Sequence, residues 1–138
     1  MSFKQIHTVQ TRKQEASRIF AKFPGRIPII VERALSATTT MPLIDKQKFL
    51  VPADLTLGQF TFVIRKRMEL SPEKALFLFV NNTLPTTGSL MREVYAQQYD
   101  QEDGFLYVTY CGENSFGSTR ALYDTFYKAS IHQSQHVA

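Results

Sequence analysis

The spacing of apolar residues near the start of the chain predicts an amphipathic helix. Residues 10–23 carry apolar side chains three or four positions apart, with basic side chains between them, as on a helix with one buried face. The apolar face is formed by Ala16, Ile19, Phe20 and Phe23. Thr11 and Gln14 are spaced to form a capping box, and Pro24-Gly25 ends the helix. Residues 2–8 suggest a shorter helix before it.

Two β-rich segments come next, and each contains a proline. Residues 26–32 form the first. Because proline has no N–H to donate to a neighbouring strand, Pro28 should lie at the start of this strand or on a side without a partner. Residues 34–42 read as a loop. Residues 48–52 form the second strand, which ends in Pro52, and the two strands are predicted to pair as a hairpin with an accessible edge.

The remaining pattern predicts two helices and two strands. An apolar stripe along the first of these helices is formed by Leu57, Phe60, Ile64 and Met68. Thr56 is its expected N-cap. Residues 75–80 are uniformly apolar, so this strand is predicted to lie centrally in a sheet that is covered on both faces. Residues 89–95 form a short helix, and residues 105–110 form the last strand.

The order of these elements determines the fold class. Two strands come first, a helix crosses over, and two more strands follow with a short helix between them. This order predicts an α+β protein of the ubiquitin-like β-grasp type, with a four-stranded mixed sheet wrapped around one helix. The last strand should pair centrally beside the first, and an N-terminal helical extension should precede the sheet.

Composition narrows the function classes without selecting one. With 138 residues the chain forms one domain, and 43% hydrophobic and 20% charged residues are ordinary for a soluble globular protein. Apolar runs fall well short of the roughly 20 residues that a membrane span needs, and the N-terminus lacks the apolar segment of a signal peptide. A single cysteine excludes an intramolecular disulfide, which fits a reducing compartment.

The net charge of +4 is concentrated at the N-terminus. Residues 1–26 contain one acidic residue, Glu15, against these basic residues: Lys4, Arg12, Lys13, Arg18, Lys22 and Arg26. Either an anionic partner meets the protein here or these residues form a solvated helix face, and we favour the solvated face. Arg65-Lys66-Arg67 reads in the same way, as a helix end that complements the negative C-terminal dipole. We expect no nucleic-acid partner.

Candidate catalytic and metal-binding residues are few. Cys111 is the only thiol, it follows a strand, and histidine is absent from its neighbourhood in sequence, so it reads as a structural thiol and not a nucleophile. The three histidines are scattered at His7, His132 and His136, which argues against a metal site or an acid–base pair. We therefore expect no enzyme activity, no catalytic residue, no metal and no cofactor.

A glycine near the C-terminus has the sharpest chemical interpretation. The last predicted strand leads into Cys111-Gly112-Glu113-Asn114-Ser115-Phe116-Gly117, and residues 118–138 follow. A lone glycine on a short polar arm has no Cβ, so the catalytic groups of another enzyme can approach its backbone closely. The chain is therefore predicted to be a precursor that is trimmed at Gly117 and then joined through the carboxylate of that glycine.

A series of longer motifs also runs through the chain in a fixed order. These are Arg26-Ile27-Pro28-Ile29-Ile30, Ile44-Asp45-Lys46, Phe49-Leu50-Val51-Pro52-Ala53-Asp54-Leu55-Thr56, Gly58-Gln59-Phe60, Val63-Ile64-Arg65-Lys66-Arg67, Phe79-Val80-Asn81-Asn82, Asp103-Gly104-Phe105-Leu106-Tyr107-Val108-Thr109-Tyr110 and Gly112-Glu113-Asn114-Ser115-Phe116-Gly117. Together they resemble the autophagy ubiquitin-like modifiers, the family of GABARAP and microtubule-associated protein light chain 3. The resemblance covers residues 11–117 almost continuously and does not extend to residues 118–138.

The resemblance implies processing followed by lipid attachment. A dedicated cysteine protease would cut the Gly117–Ser118 bond, with Phe116 helping to position the arm. Activating and conjugating enzymes of the autophagy system would then transfer the Gly117 carboxylate, as a thioester, to the amine of phosphatidylethanolamine. The protein would be cytoplasmic, and on autophagosomal membranes after lipidation. The two acyl chains of such a lipid give stable membrane attachment, whereas one chain is marginal.

The resemblance also implies docking of cargo receptors that carry an aromatic-x-x-aliphatic motif with acidic flanks. Such a peptide adds as a strand to the sheet edge. The pocket for its aromatic residue would use Glu15, Ile19, Pro28, Ile30, Lys48, Leu50 and Phe105. The pocket for its aliphatic residue would use Phe49, Val51, Pro52, Leu55, Phe60 and Val63. The acidic flank would meet Lys46, Lys48, Arg26 and Arg67. Strand alternation independently directs Phe49 and Val51 to one face and Lys48 and Leu50 to the other, so only part of the set can be exposed.

Three segments are therefore expected: an N-terminal helical extension over 1–25, a ubiquitin-like β-grasp domain over 26–117 and a C-terminal propeptide over 118–138. Three tail positions are spaced for one helical face: Leu122, Phe126 and Ala129. The tail either awaits removal as a disordered peptide, which we favour, or docks on the body and masks a pocket. An alternative function is a non-conjugated β-grasp interaction domain that binds tubulin or another acidic partner.

Overall fold

The computed structural model describes residues 1–35 and 41–112. The described chain forms a four-stranded mixed sheet in the order β2-β1-β4-β3, with helices on both faces. In chain order the elements are α1 (Phe3–Ile6), α2 (Val9–Lys22), β1 (Arg26–Arg33), β2 (Lys48–Pro52), α3 (Leu57–Met68), β3 (Phe77–Phe79), α4 (Met91–Gln98) and β4 (Leu106–Cys111). This confirms the predicted fold class and element order. Among the helices described, none is long and apolar enough to cross a membrane.

Helices α1, α2 and α3 each begin at a side chain that accepts a hydrogen bond from a free backbone N–H group of the first turn. Helix α2 starts earlier than predicted, because the Thr8 hydroxyl accepts a hydrogen bond from the Thr11 N–H at 3.2 Å. The predicted capping box of Thr11 and Gln14 is therefore wrong: Thr11 already lies inside the first turn. The prediction for α3 is confirmed, since Thr56 and Gln59 form a reciprocal capping box.

The first and last strands lie side by side at the centre of the sheet. Strand β1 pairs antiparallel with β2 and parallel with β4, as predicted for a β-grasp fold. Pro28 lies opposite Leu50 of β2, and pairing with β4 begins one residue later, at Ile29 opposite Leu106. The proline therefore precedes the ladder with β4, as its missing N–H requires.

Strand β3 differs from the prediction. The apolar run over residues 75–80 was expected to form a central strand, but β3 is three residues long and lies at the edge of the sheet beside β4. The run is apolar because most of its residues belong to the main core even though the strand is peripheral. These core residues are Leu76, Leu78, Phe79 and Val80.

Apolar side chains pack on both faces of the central strands. The larger cluster includes residues of α3 and α4, among them Phe60 and Ile64, together with one face of the sheet. A smaller cluster covers the other face and consists of Phe3, Ala16, Ile19, Ile30 and Phe105. The N-terminal helices are thus part of the packed body, and β2 is left at an edge beside α2.

Candidate functional site

Strand β2 forms one of the two edges of the described sheet, and a further strand can add to its outer side. Hydrogen bonds join Ala53 N–H to the Gly25 carbonyl at 3.0 Å and Val31 N–H to the Gln47 carbonyl at 2.8 Å. In an antiparallel pair the backbone N–H and C=O groups of successive residues point alternately toward and away from the partner strand. Those of Lys48 and Leu50 therefore point away from β1. These outward groups can pair with an extended peptide, although the Leu50 carbonyl also accepts a 3.4 Å bond from the guanidinium of Arg26.

The structure brings together the residues predicted for the aromatic pocket. Ile30 and Phe105 are fully buried and pack with Ile19 in the smaller cluster, with Leu50 partly buried against them. Pro28 is also fully buried, on the same side of β1 as Ile30. An ion pair between the Lys48 ammonium and the Glu15 carboxylate joins β2 to α2, and both side chains are partly exposed.

The residues predicted for the aliphatic pocket divide into two groups. Phe49, Val51 and Phe60 are buried in the main core, and the Phe49 and Phe60 rings meet edge to face at 5.7 Å. Pro52 is half-buried at the end of β2. By contrast, Leu55 and Val63 line an open groove of about 560 Å³, together with Thr56, Gly58, Gln59, Phe62, Thr87 and Gly88.

Sequence interpretation missed part of this groove. Phe62 is 58% exposed beside Val63, on the side of α3 that faces away from the buried stripe. An apolar residue off the helical stripe was the signal that could have identified it. The prediction also missed Thr56, Gly58 and Gln59 at the start of α3, and Thr87 and Gly88, which come from a segment far along the chain that held no signal. The latter two approach α3 closely: a Cβ at Gly58 would lie 3.3 Å from the Thr87 carbonyl.

Basic side chains lie near the β2 edge. The Lys46 ammonium sits over the Phe49 ring, 5.0 Å from its centroid. Arg67 Nε donates a 2.9 Å hydrogen bond to the Asp45 carboxylate, and this bond is the main reason that the pKa of Asp45 is lowered. Of the four basic residues predicted for the acidic flank, Lys48 and Arg67 are thus paired with carboxylates, those of Glu15 and Asp45.

The charge pattern placed Arg12 on a solvated basic face, and the structure shows that this is wrong. It is 6% exposed, and its Nη1 lies 2.5 Å from the Asp103 carboxylate. The Tyr107 hydroxyl donates to the same carboxylate, and the pKa of Tyr107 is raised by burial first and then by this bond. This network ties α2 to the segment before β4 and removes one charge from the surface of the N-terminal extension.

The described residues hold no group of three or more histidine, cysteine, aspartate or glutamate side chains that could bind a metal. Cys111 is buried, and burial raises the pKa of its thiol to about 11. His7 packs against the ring of Phe3 at 4.6 Å. His132 and His136 lie outside the described residues.

Slow chemical modification of Cys111 is therefore expected in the folded chain. A thiol with a pKa near 11 is almost entirely protonated at pH 8, and only the thiolate reacts with iodoacetamide. Alkylation followed by mass spectrometry should be on the order of 100-fold slower in the native chain than in urea, from the lower thiolate fraction alone. Equal rates in both states would contradict the buried placement of this cysteine.

The predicted conjugation site lies beyond the described residues. Phe116, Gly117 and Ser118 fall in the undescribed C-terminal part, and Gly112 is the last residue placed. Gly112 is packed tightly, since a Cβ there would lie 2.8 Å from Met41 Sδ. The arm that carries Gly117 thus starts from a fixed, buried point directly after β4.

Comparisons with known proteins identify the family of this chain. The family described as "Autophagy protein Atg8 ubiquitin like" matches residues 11–117. Autophagy-related protein 8A of Oryza sativa is 59% identical over 117 residues, covering 85% of this chain and 96% of the rice protein. Autophagy-related protein 8 of Candida glabrata is 58% identical over 116 residues, covering 84% of this chain and 96% of the yeast protein.

A solved structure extends the agreement to the fold. The crystal structure of Trypanosoma brucei ATG8 superposes with a TM-score of 0.76 at 39% sequence identity, covering 82% of this chain and 95% of the other. The family match spans most of the chain, including both β-strand edges and the start of the C-terminal arm. This chain therefore belongs to the Atg8 family of autophagy ubiquitin-like modifiers.

Proposed function

We propose that this chain is a precursor that is cut after Gly117 and conjugated through that residue to phosphatidylethanolamine on autophagosomal membranes. The observation that carries the proposal is that the family match ends at residue 117, the glycine itself, while the chain continues for residues 118–138. In this proposal, 1–25 is a helical extension, 26–117 is the conjugated domain, and 118–138 is a propeptide. The unconjugated protein is cytoplasmic.

The chemistry proceeds through the Gly117 carbonyl. A processing cysteine protease hydrolyses the Gly117–Ser118 amide, which leaves a free carboxylate on Gly117 and releases residues 118–138. The activating enzyme joins this carboxylate to AMP from ATP and releases pyrophosphate, and an enzyme thiol then displaces AMP to form a thioester. The lipid amine displaces the thiolate to form an amide. The chain's own contribution is steric, because glycine leaves both faces of the carbonyl open to these enzymes. In this proposal, the chain is their substrate and has no catalytic role of its own.

A reconstituted reaction tests this proposal. The full-length chain is incubated with the processing protease, the activating and conjugating enzymes, ATP and vesicles that contain phosphatidylethanolamine. Intact mass should show first a chain ending at Gly117 and then the same chain carrying one lipid. A chain that keeps residues 118–138 throughout would overturn the proposal and favour a non-conjugated interaction domain.

We further propose that the β2 edge binds the aromatic-x-x-aliphatic motifs of cargo receptors. The open backbone of Lys48 and Leu50 supports strand addition, and the neighbouring basic side chains suit acidic flanks. The aromatic residue would enter above Ile30 and Phe105. The aliphatic residue would occupy the groove at Leu55 and Val63.

Replacing Leu50 with aspartate should weaken this binding at least tenfold. Leu50 is partly buried at the entrance to the aromatic pocket, so a carboxylate there meets both the peptide's ring and its acidic flank. Fluorescence anisotropy with a labelled acidic aromatic-x-x-aliphatic peptide measures the affinity. The matched control is Val9→Asp, on the exposed first turn of α2, which should bind as the wild type does. Unchanged affinity of Leu50→Asp would place the docking site elsewhere.

A further inference from the structure

Two leucines stand out among the exposed apolar side chains of the described chain. Leu35 is 92% exposed and Leu43 is 71% exposed, more than any other large apolar residue placed except Met1. Single exposed leucines are common on protein surfaces and by themselves indicate nothing. What distinguishes this pair, called here the arm-base patch, is its position.

The arm-base patch flanks the end of β4, from which the C-terminal arm starts. Ala34, the neighbour of Leu35, donates its N–H to the Tyr110 carbonyl at 2.9 Å. Pro42, the neighbour of Leu43, accepts a 2.9 Å hydrogen bond from the Tyr110 hydroxyl. Both leucines therefore lie next to residues bound to Tyr110, two positions before Gly112.

The backbone around Leu43 is held firmly, so its exposure is imposed by the fold. The Tyr110 hydroxyl donates to Pro42 and also accepts the Ile44 N–H at 2.9 Å, which fixes the residues on both sides of Leu43. The Arg33 guanidinium donates to the Met41 carbonyl at 3.0 Å. Met41 and Ile44 are themselves buried in the main core. An apolar side chain presented on such a rigid support can be buried by a partner at little cost in ordering.

The length of the arm determines which partner must reach this surface. Gly117 lies five positions after Gly112, and a fully extended chain of five steps spans at most about 17 Å. An enzyme that acts on the Gly117 carbonyl must therefore sit over the surface around the end of β4. We propose that the arm-base patch is a docking contact for the cysteine protease that processes the chain. This inference rests on the proposed function, and it assigns the protease an apolar contact outside the arm.

Cleavage kinetics test the inference on the full-length chain. The variants are Leu43→Asp and Leu35→Asp, and the matched control is Ile6→Asp, which changes a 54% exposed residue on α1. Release of residues 118–138 by the purified processing protease is followed by mass spectrometry. Each patch variant should lower kcat/KM by about tenfold, through KM, because a buried apolar contact is replaced by a desolvated charge. The control should match the wild type.

The outcomes separate the inference from the proposed function. Patch variants cleaved as fast as the wild type, with unchanged unfolding midpoints, would overturn the inference and leave the proposed function intact. A fall in kcat with KM unchanged would also overturn it, since a docking contact acts on binding. Failure of the wild-type chain to be cleaved at Gly117 would overturn the proposed function and the inference together. Leu43→Met, which keeps an apolar side chain at this position, should be cleaved at close to the wild-type rate.

Discussion

Replacing Gly117 with alanine is expected to leave the chain folded but to abolish its processing and its attachment to lipid. A methyl group at this position occupies the space through which a protease nucleophile, and later the thioester enzymes, approach the carbonyl. Gly117 comes five positions after Gly112, the last residue that the structure describes at this end of the chain, and we expect the substitution to leave the free energy of unfolding unchanged. Mass spectrometry of the reconstituted reaction should show the full-length chain only.

A matched glycine separates this effect from a general cost of losing a glycine. Gly88 is exposed, and a Cβ built there would meet no atom within 4 Å. Gly88→Ala should therefore be processed and lipidated at the wild-type rate, with an unchanged unfolding midpoint. Normal lipid attachment of Gly117→Ala would show that the carboxylate of another residue is used, and it would contradict the account.

Replacing Asp103 with alanine should destabilise the chain by about 3–5 kcal/mol, because it leaves the buried guanidinium of Arg12 without its countercharge. The Asp103 side chain is fully buried, and it accepts hydrogen bonds from Arg12, from the Tyr107 hydroxyl and from the Phe105 N–H. Removing the carboxylate therefore abolishes one ion pair and leaves these three donors without their acceptor. Urea denaturation followed by circular dichroism measures the loss.

An exposed ion pair in the same part of the fold provides the comparison. The Lys4 ammonium lies 2.5 Å from the Asp100 carboxylate, but the Lys4 side chain is 45% exposed. Lys4→Ala should cost less than about 1 kcal/mol, as exposed pairs usually do. Equal losses for Lys4→Ala and Asp103→Ala would contradict the structural role given to the buried network. Hydrogen exchange should also show that Asp103→Ala opens α1 and α2 before the sheet.

The elements with strong periodicity could be predicted from sequence. The prediction of helix α3 is confirmed for its N-cap and its buried stripe, because a capping box and an i, i+3, i+4 pattern are local signals. The pairing of the first and last strands also followed, since a crossover helix between strand pairs permits few topologies. The start of α2 was misplaced, because Thr8 and Thr11 are both acceptable caps and only the tertiary position of the chain selects between them.

Features that depend on neighbours distant in sequence could not be predicted. The run at residues 75–80 is apolar because it packs into the core, and periodicity alone does not separate an edge strand of this kind from a central one. Arg12 looked like any other basic residue of α2, and its burial depends on Asp103, which lies far along the chain. Strand alternation separated Phe49 and Val51 from Lys48 and Leu50 without deciding which pair faces the core, and it did not predict the open groove beside Val63.

Conjugation through Gly117 can be tested by the intact mass of the endogenous protein, after separation of membrane and soluble fractions from cells induced for autophagy. We expect a soluble form that ends at Gly117 and a membrane form of the same chain that carries one phosphatidylethanolamine. Full-length protein in both fractions, with residues 118–138 retained, would contradict the account and would make peptide docking at the β2 edge the function to pursue.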